Sequence, residues 1–124
     1  MTPMRAAVLG VLLDNDSPRS AYDVAQSLAA TRGKAVAPAS VYRILDLFVD
    51  HALAQKVESR NAYMANRHPG CPHDCIYLLC DRCGAATHLD DDELTTAVRA
   101  VAERSGFRPV RPVVEVRGLC GACA

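Results

Sequence analysis

With 124 residues, half of them hydrophobic but only 5% aromatic and none Trp, the chain can form one compact domain or two small ones around Ala, Val and Leu. Fourteen basic and fourteen acidic residues leave no formal net charge, which excludes a globally basic nucleic-acid binder but not a local basic patch. Residues 1–67 carry eight Lys/Arg against six Asp/Glu, and residues 68–124 six against eight.

Met4, Val8, Val11 and Leu12 mark one face of a first helix. Its apolar run, Ala6–Leu13, is too short to span a membrane, and no small-residue cleavage site follows Asp14-Asn15-Asp16. It reads as a packed helix of a cytoplasmic protein. Ala21, Val24, Ala25, Leu28 and Ala29 mark a second helix, with Ser20 as N-cap and Asp23 completing a capping box. Val41, Ile44, Leu45, Phe48 and Val49 repeat the spacing in a third, opened by Pro38. Gln55–Val57 and Ala62–Met64 are extended stretches around the turn Ser59-Arg60-Asn61. Residues 66–70 read as a linker. Ile76–Leu79 and Ala85–Leu89 are strands joined by a Cys turn. Asp90–Glu93 opens a fourth helix with the apolar face Leu94, Ala97, Val98, Val101 and Ala102, ended by Gly106. Val110–Val116 is a final strand, and Pro112 places it at a sheet edge. His51 is a helix-end residue.

Three helices followed by a two-stranded hairpin make a winged helix-turn-helix. The residues of the third helix left off the apolar face are Ser40, Tyr42, Arg43, Asp46 and Asp50. Arg43 can fork onto guanine O6 and N7, while the Tyr42 ring meets a thymine methyl and its hydroxyl a phosphate. Lys56 and Arg60 on the hairpin reach phosphate, as wings do. Asp46 and Asp50 weaken such a surface, so affinity calls for a dimer.

Cys80/Cys83 and Cys120/Cys123 are two Cys-x-x-Cys pairs separated by 36 residues. Four thiolates in two close pairs are the donor set of a closed tetrahedral Zn²⁺ site, and glycine lets each turn close tightly. Without an export signal, six cysteines favour metal or redox use over structural disulfides. A thiol-disulfide enzyme is the rival reading, but a redox Cys-x-x-Cys opens a helix that lowers a thiol pKa. Here one pair joins two strands and the other follows a strand. The chain therefore reads as no enzyme. A zinc-ribbon RNA-binding or adaptor module leaves the third helix and hairpin unexplained.

The segments Thr2-Pro3-Met4-Arg5, Ser20-Ala21-Tyr22-Asp23, Ser40-Val41-Tyr42-Arg43-Ile44-Leu45-Asp46, Lys56-Val57-Glu58-Ser59, Cys80-Asp81-Arg82-Cys83-Gly84 and Gly118-Leu119-Cys120 resemble, in order, those of the ferric uptake regulator family. The Lys56-Val57-Glu58-Ser59 and Cys80–Gly84 segments are more similar to its zinc uptake regulator branch. The resemblance implies an α+β protein: a winged-helix DNA-binding domain over residues 1–66, a linker over 67–71, and a small α/β dimerisation and metal-binding domain over 72–124. It implies a homodimeric, zinc-dependent repressor of zinc uptake genes on an A/T-rich palindromic operator in double-stranded DNA, with no membrane and no small-molecule substrate. Zinc at Cys80, Cys83, Cys120 and Cys123 would be structural. Tyr42 and Arg43 would read bases, and a second zinc between the lobes would be the sensor. The alternatives are a family member sensing iron or peroxide, or one without metal control.

The sensor positions depart from the family. Gln55 stands where a His is usual, Asn66 near a usual Cys, and His88 in place of a carboxylate, while His73 is retained. The run His68-Pro69-Gly70-Cys71-Pro72-His73-Asp74-Cys75 supplies spare donors. Cys71, His73 and His88, with His68 as a fourth ligand and Cys75 as alternate to Cys71, make an N/S set suited to zinc. Cys71 and Cys75 could instead form a redox pair. The family also usually carries a helix before the Thr2–Arg5 segment, and the resemblance implies fewer phosphate contacts without it.

Overall fold

The computed structural model describes all residues except 68–74 and 109–110, and Cys75 by its backbone alone. The expected ligands His68, Cys71 and His73, and the Cys75 side chain, lie outside the described residues, as does Val110. The chain divides into two compact units, residues 1–70 and 71–124.

The first unit is a winged helix-turn-helix. Helices α1 (Pro3–Leu13), α2 (Ala21–Arg32) and α3 (Pro38–Asp50) precede a hairpin of β1 (Ala54–Val57) and β2 (Ala62–Ala65). Each helix starts where its sequence satisfies the free N–H groups or dispenses with them. Thr2 accepts from the Arg5 amide above Pro3, and Pro38 opens α3. Ser20 and Asp23 form a reciprocal capping box. Gly33, at φ +72, lets α2 end in a left-handed residue. The expected apolar faces converge: Val8, Leu12, Val24, Ala25, Leu28, Val41, Leu45 and Phe48 are buried in one cluster with Ala54, Tyr63 and Ala65 of the hairpin. His51 is the C-cap of α3.

The second unit is a three-stranded sheet and one helix. Strands β3 (Cys75–Cys80), β4 (Ala86–Asp90) and β5 (Val114–Gly118) are ordered β4-β3-β5, with α4 (Asp92–Arg104) between β4 and β5. β4 returns antiparallel to β3, whereas β5 runs parallel to it. A parallel neighbour requires a crossover, which α4 provides. Residues 111–113 of the expected strand lie outside it, and the last strand is observed from Val114. Proline offers no ladder N–H, so pairing begins after Pro112. The fourth helix also starts later, at Asp92, because Asp91 caps it by accepting from the Leu94 amide. Its expected apolar face is not buried within this chain: Leu94, Val98 and Val101 are exposed, and the buried residue is Thr95.

Tyr63 joins α3 to the wing. Its ring is buried on β2, where the Arg19 backbone forms an extra bridge with it. The Tyr63 hydroxyl donates to Asp46 of α3 at 3.0 Å. Burial, then the Asp46 carboxylate, raises the phenol above its ordinary value of 10.0. The fold thus favours the protonated phenol. Below that ordinary value both folded and unfolded chains keep the proton, and the contribution is complete. Above it the unfolded chain ionises first, and stability falls until the folded phenol ionises too. Tyr63→Phe should therefore be about 1 kcal/mol less stable than wild type near neutral pH, yet lose less stability than wild type between about pH 9 and pH 11. Urea midpoints across that range provide the measurement; parallel declines would contradict it.

Candidate metal centre and nucleic-acid interface

The register of the second sheet decides where its cysteines go. Cys80 ends β3 opposite Gly118, which ends β5. Because the strands are parallel, the turns that follow emerge at the same edge. The Asp81 amide bonds the Gly118 carbonyl at 2.8 Å and fixes the two turns side by side. The first turn is closed by bonds from the Gly84 amide to the Cys80 carbonyl and from the Cys80 amide to the Ala85 carbonyl. Gly84 sits at φ +78, which a side chain would strain. Gly121, in the second turn, has no positive φ and open space around it. The glycine requirement read from the sequence therefore holds at the first turn only.

All four sulfurs lie within 4.8 Å of one another. Cys83 Sγ and Cys120 Sγ are 3.8 Å apart. Four sulfurs about 2.3 Å from a central Zn²⁺ in a tetrahedron are about 3.8 Å from each other. The donor set and its spacing thus fit that ion. The electrostatics agree. Backbone N–H groups, that of Cys83 first at 3.4 Å, hold the Cys80 thiol down to about 5. Its neighbours, Cys120 first and then burial, push Cys123 up to about 12. Four adjacent thiolates repel one another, and only a cation among them lets all four ionise. Arg82 donates to the Cys123 carbonyl at 3.2 Å, and Arg117 pairs with Asp81 at 3.2 Å, so polar bonds link the turns outside the sulfurs.

Of the expected second set of ligands, only His88 has a described side chain. It lies on β4 opposite Tyr77, with Nε2 3.1 Å from Asp90 Oδ1. The contact is within ion-pair distance but does not have hydrogen-bond geometry. Asp90 was missed by sequence reasoning; the i, i+2 spacing on a strand was the available signal. The positions that depart from the resemblance have work within the hairpin. Asn66 donates to the Ala52 carbonyl at 2.8 Å, and its amide bonds the Leu53 carbonyl. These bonds brace Ala52, which has φ +58. Gln55 pairs with Met64.

On α3, Ser40 and Arg43 are exposed and Tyr42 is half-buried. Arg43 makes no hydrogen bond or ion pair among the described residues. Tyr42 meets the Tyr63 ring edge-on at 6.3 Å, and its hydroxyl accepts from Asn61 at 2.7 Å. Asp46 is bound by Tyr63 instead of standing free. Lys56 lies 5.8 Å from the Tyr63 ring centre and 3.9 Å from Glu58, so its charge is partly offset. Arg60 ends the single turn of 3₁₀ helix between the hairpin strands.

A winged helix joined to a lobe with a four-thiolate metal centre defines the class of protein. The ferric uptake regulator family model matches residues 1–117, and the chain belongs to that family. It is 34% identical over 124 residues to the zinc uptake regulation protein of Escherichia coli strain K12, covering 99% of this chain and 72% of that protein. It is 24% identical to the ferric uptake regulation protein of Bacillus subtilis strain 168, covering 99% of this chain and 84% of that one. A zinc uptake regulator complexed with zinc and DNA superposes with TM-score 0.89 at 33% identity, covering 98% of this chain and 81% of that chain. Holo XcZur superposes with TM-score 0.82 at 37% identity, covering 98% and 84%.

Metal removal should unfold the second unit selectively. Chelation, or Cys80→Ser or Cys120→Ser, should abolish tight metal binding at the four-sulfur site and lower the melting temperature of the sheet lobe. The helices of the first unit should stay folded. Elemental analysis with circular dichroism checks this; an unchanged melting profile after complete metal loss would contradict it.

Proposed function

We propose that this chain is a zinc-responsive transcriptional repressor that binds an A/T-rich palindromic operator in double-stranded DNA as a cytoplasmic homodimer and controls zinc uptake genes. Residues 1–66 bind DNA, 67–71 link, and 72–124 dimerise and hold metal. One observation carries the reading: Arg43 stands exposed and uncommitted on α3 of a winged helix, in a chain whose relatives include zinc uptake regulators.

Arg43 presents a fork of donors that matches guanine O6 and N7. Ser40 and Tyr42 contact the same groove and backbone, and Lys56 and Arg60 contact phosphate. Zinc at Cys80, Cys83, Cys120 and Cys123 is structural, joining the two turns. The regulatory ligands are Cys71, His73, His88 and His68, with Cys75 as alternate. The exposed apolar residues favour a second copy of the chain as partner. Leu94, Val98 and Val101 line α4, and Leu78 and Val116 are neighbours on one sheet face. A unit this small buries too little apolar surface to leave such faces in water. The chain acts by binding and not as an enzyme. The lower identity to the ferric protein favours zinc over iron as the regulating metal.

The test is a titration of operator DNA at buffered free zinc. Affinity should rise at least tenfold with zinc, while the four-cysteine zinc stays bound throughout. Arg43→Ala should weaken operator binding by about 1–3 kcal/mol and relax specificity at one base pair. Zinc-independent binding would refute the regulatory reading, and wild-type affinity in Arg43→Ala the assignment of the reading helix.

A further inference from the structure

We infer that Asn61, at the tip of the wing, is a positioning residue for DNA recognition: by donating to the Tyr42 hydroxyl, it leaves that hydroxyl's own proton for an acceptor on DNA. The inference rests on the proposal that α3 reads DNA.

Asn61 follows the 3₁₀ turn at φ +47, in the left-handed region. Glycine meets that backbone requirement without a side chain, and asparagine also tolerates it. The turn suits asparagine as well as glycine, but it does not fix what the amide contacts. The amide has a target, however: Asn61 Nδ2 lies 2.7 Å from the Tyr42 hydroxyl oxygen, across 19 residues of chain. A phenol carries one proton and can also accept. Once Asn61 donates to its oxygen, the proton is left over, and among the described residues no acceptor takes it.

The surroundings hold the ring in place for this. Tyr63 packs edge-on against Tyr42 at 75°, and Tyr63 is itself tied to α3 through Asp46. Wing and helix thus set the position and polarity of one hydroxyl before any ligand arrives. A group already oriented loses less freedom on binding. The acceptor it suits is a phosphate oxygen or a base-edge oxygen such as thymine O4.

The test is a double-mutant cycle on the full-length, zinc-loaded protein. The probe is a duplex that the wild-type protein selects from a random pool, with a scrambled duplex as control. Asn61→Gly keeps the backbone conformation and removes the amide. It should weaken binding about five- to tenfold, the loss expected for one neutral hydrogen bond. Tyr42→Phe should weaken binding at least as much. Asn61→Gly added to Tyr42→Phe should then change nothing further, which a merely structural role for Asn61 would not produce. Loss on the selected duplex alone assigns the proton to a base edge, and equal loss on both duplexes assigns it to phosphate. Should Asn61→Gly melt below the assay temperature, Asn61→Asp serves in its place. Aspartate tolerates the same backbone but accepts the Tyr42 proton, and it should weaken wild type more than Tyr42→Phe. Wild-type affinity in Asn61→Gly, or losses that multiply in the double variant, would overturn the inference. If Arg43→Ala and Tyr42→Phe both bind like wild type, it is the reading of α3 that fails.

Discussion

The second unit depends on the parallel register of β3 and β5. That register sets Cys80 opposite Gly118, and everything about the metal centre follows. Had β5 been antiparallel, its terminal turn would emerge at the opposite edge, and no ion could join the two cysteine pairs. Linking Cys83 to Cys120 closes a loop of 36 intervening residues. Treated as a covalent cross-link, that closure removes about 4 kcal/mol of unfolded-state entropy. A lobe of this size rarely gains more than about 3–5 kcal/mol from its core. The metal is thus comparable in weight to the rest of the lobe's stability. The parallel strand pair in turn requires the α4 crossover, so sheet, helix and centre form together.

The first unit shows how acidic residues coexist with an anionic partner. By charge alone, Asp46 on α3 should repel phosphate. In the fold its carboxylate accepts from buried Tyr63. The same bond fastens α3 to the wing and satisfies a hydroxyl that burial would otherwise leave stranded. The exposed surface of α3 is therefore a joint product of helix and hairpin.

The helices were legible because their apolar residues recur at i, i+3, i+4 and i+7, and because Ser20, Pro38 and the Asp90–Glu93 run are start signals, although Asp90 itself ends β4. The metal centre was legible because its chemistry is local: two residues between cysteines suffice to define each pair. What stayed hidden depends on contacts distant in sequence. Nothing near Tyr63 announces that Arg19 will bridge it or that Asp46 will accept from it. Asn61 reads as a turn former, and only the fold brings its amide to Tyr42. In the last strand, the valine run extends on both sides of Pro112, and hydrophobicity alone could not place the start. The ladder begins beyond proline and continues to Gly118, where Asp81 bonds its carbonyl.

Helix α4 illustrates a different limit. Its residues at i, i+3, i+4, i+7 and i+8 from Leu94 are apolar, but periodicity says only that a face is apolar, never what covers it. The metal does not cover it either, since its bonds act at one edge of the sheet. Val101 stays 54% exposed and Val116 51%. Two deficits of a small lobe therefore need two remedies. The ion closes the chain and fixes the turns, while the apolar faces call for cover that the ion does not supply. Neither substitutes for the other, because the ion buries no α4 side chain and association cannot hold four thiolates together.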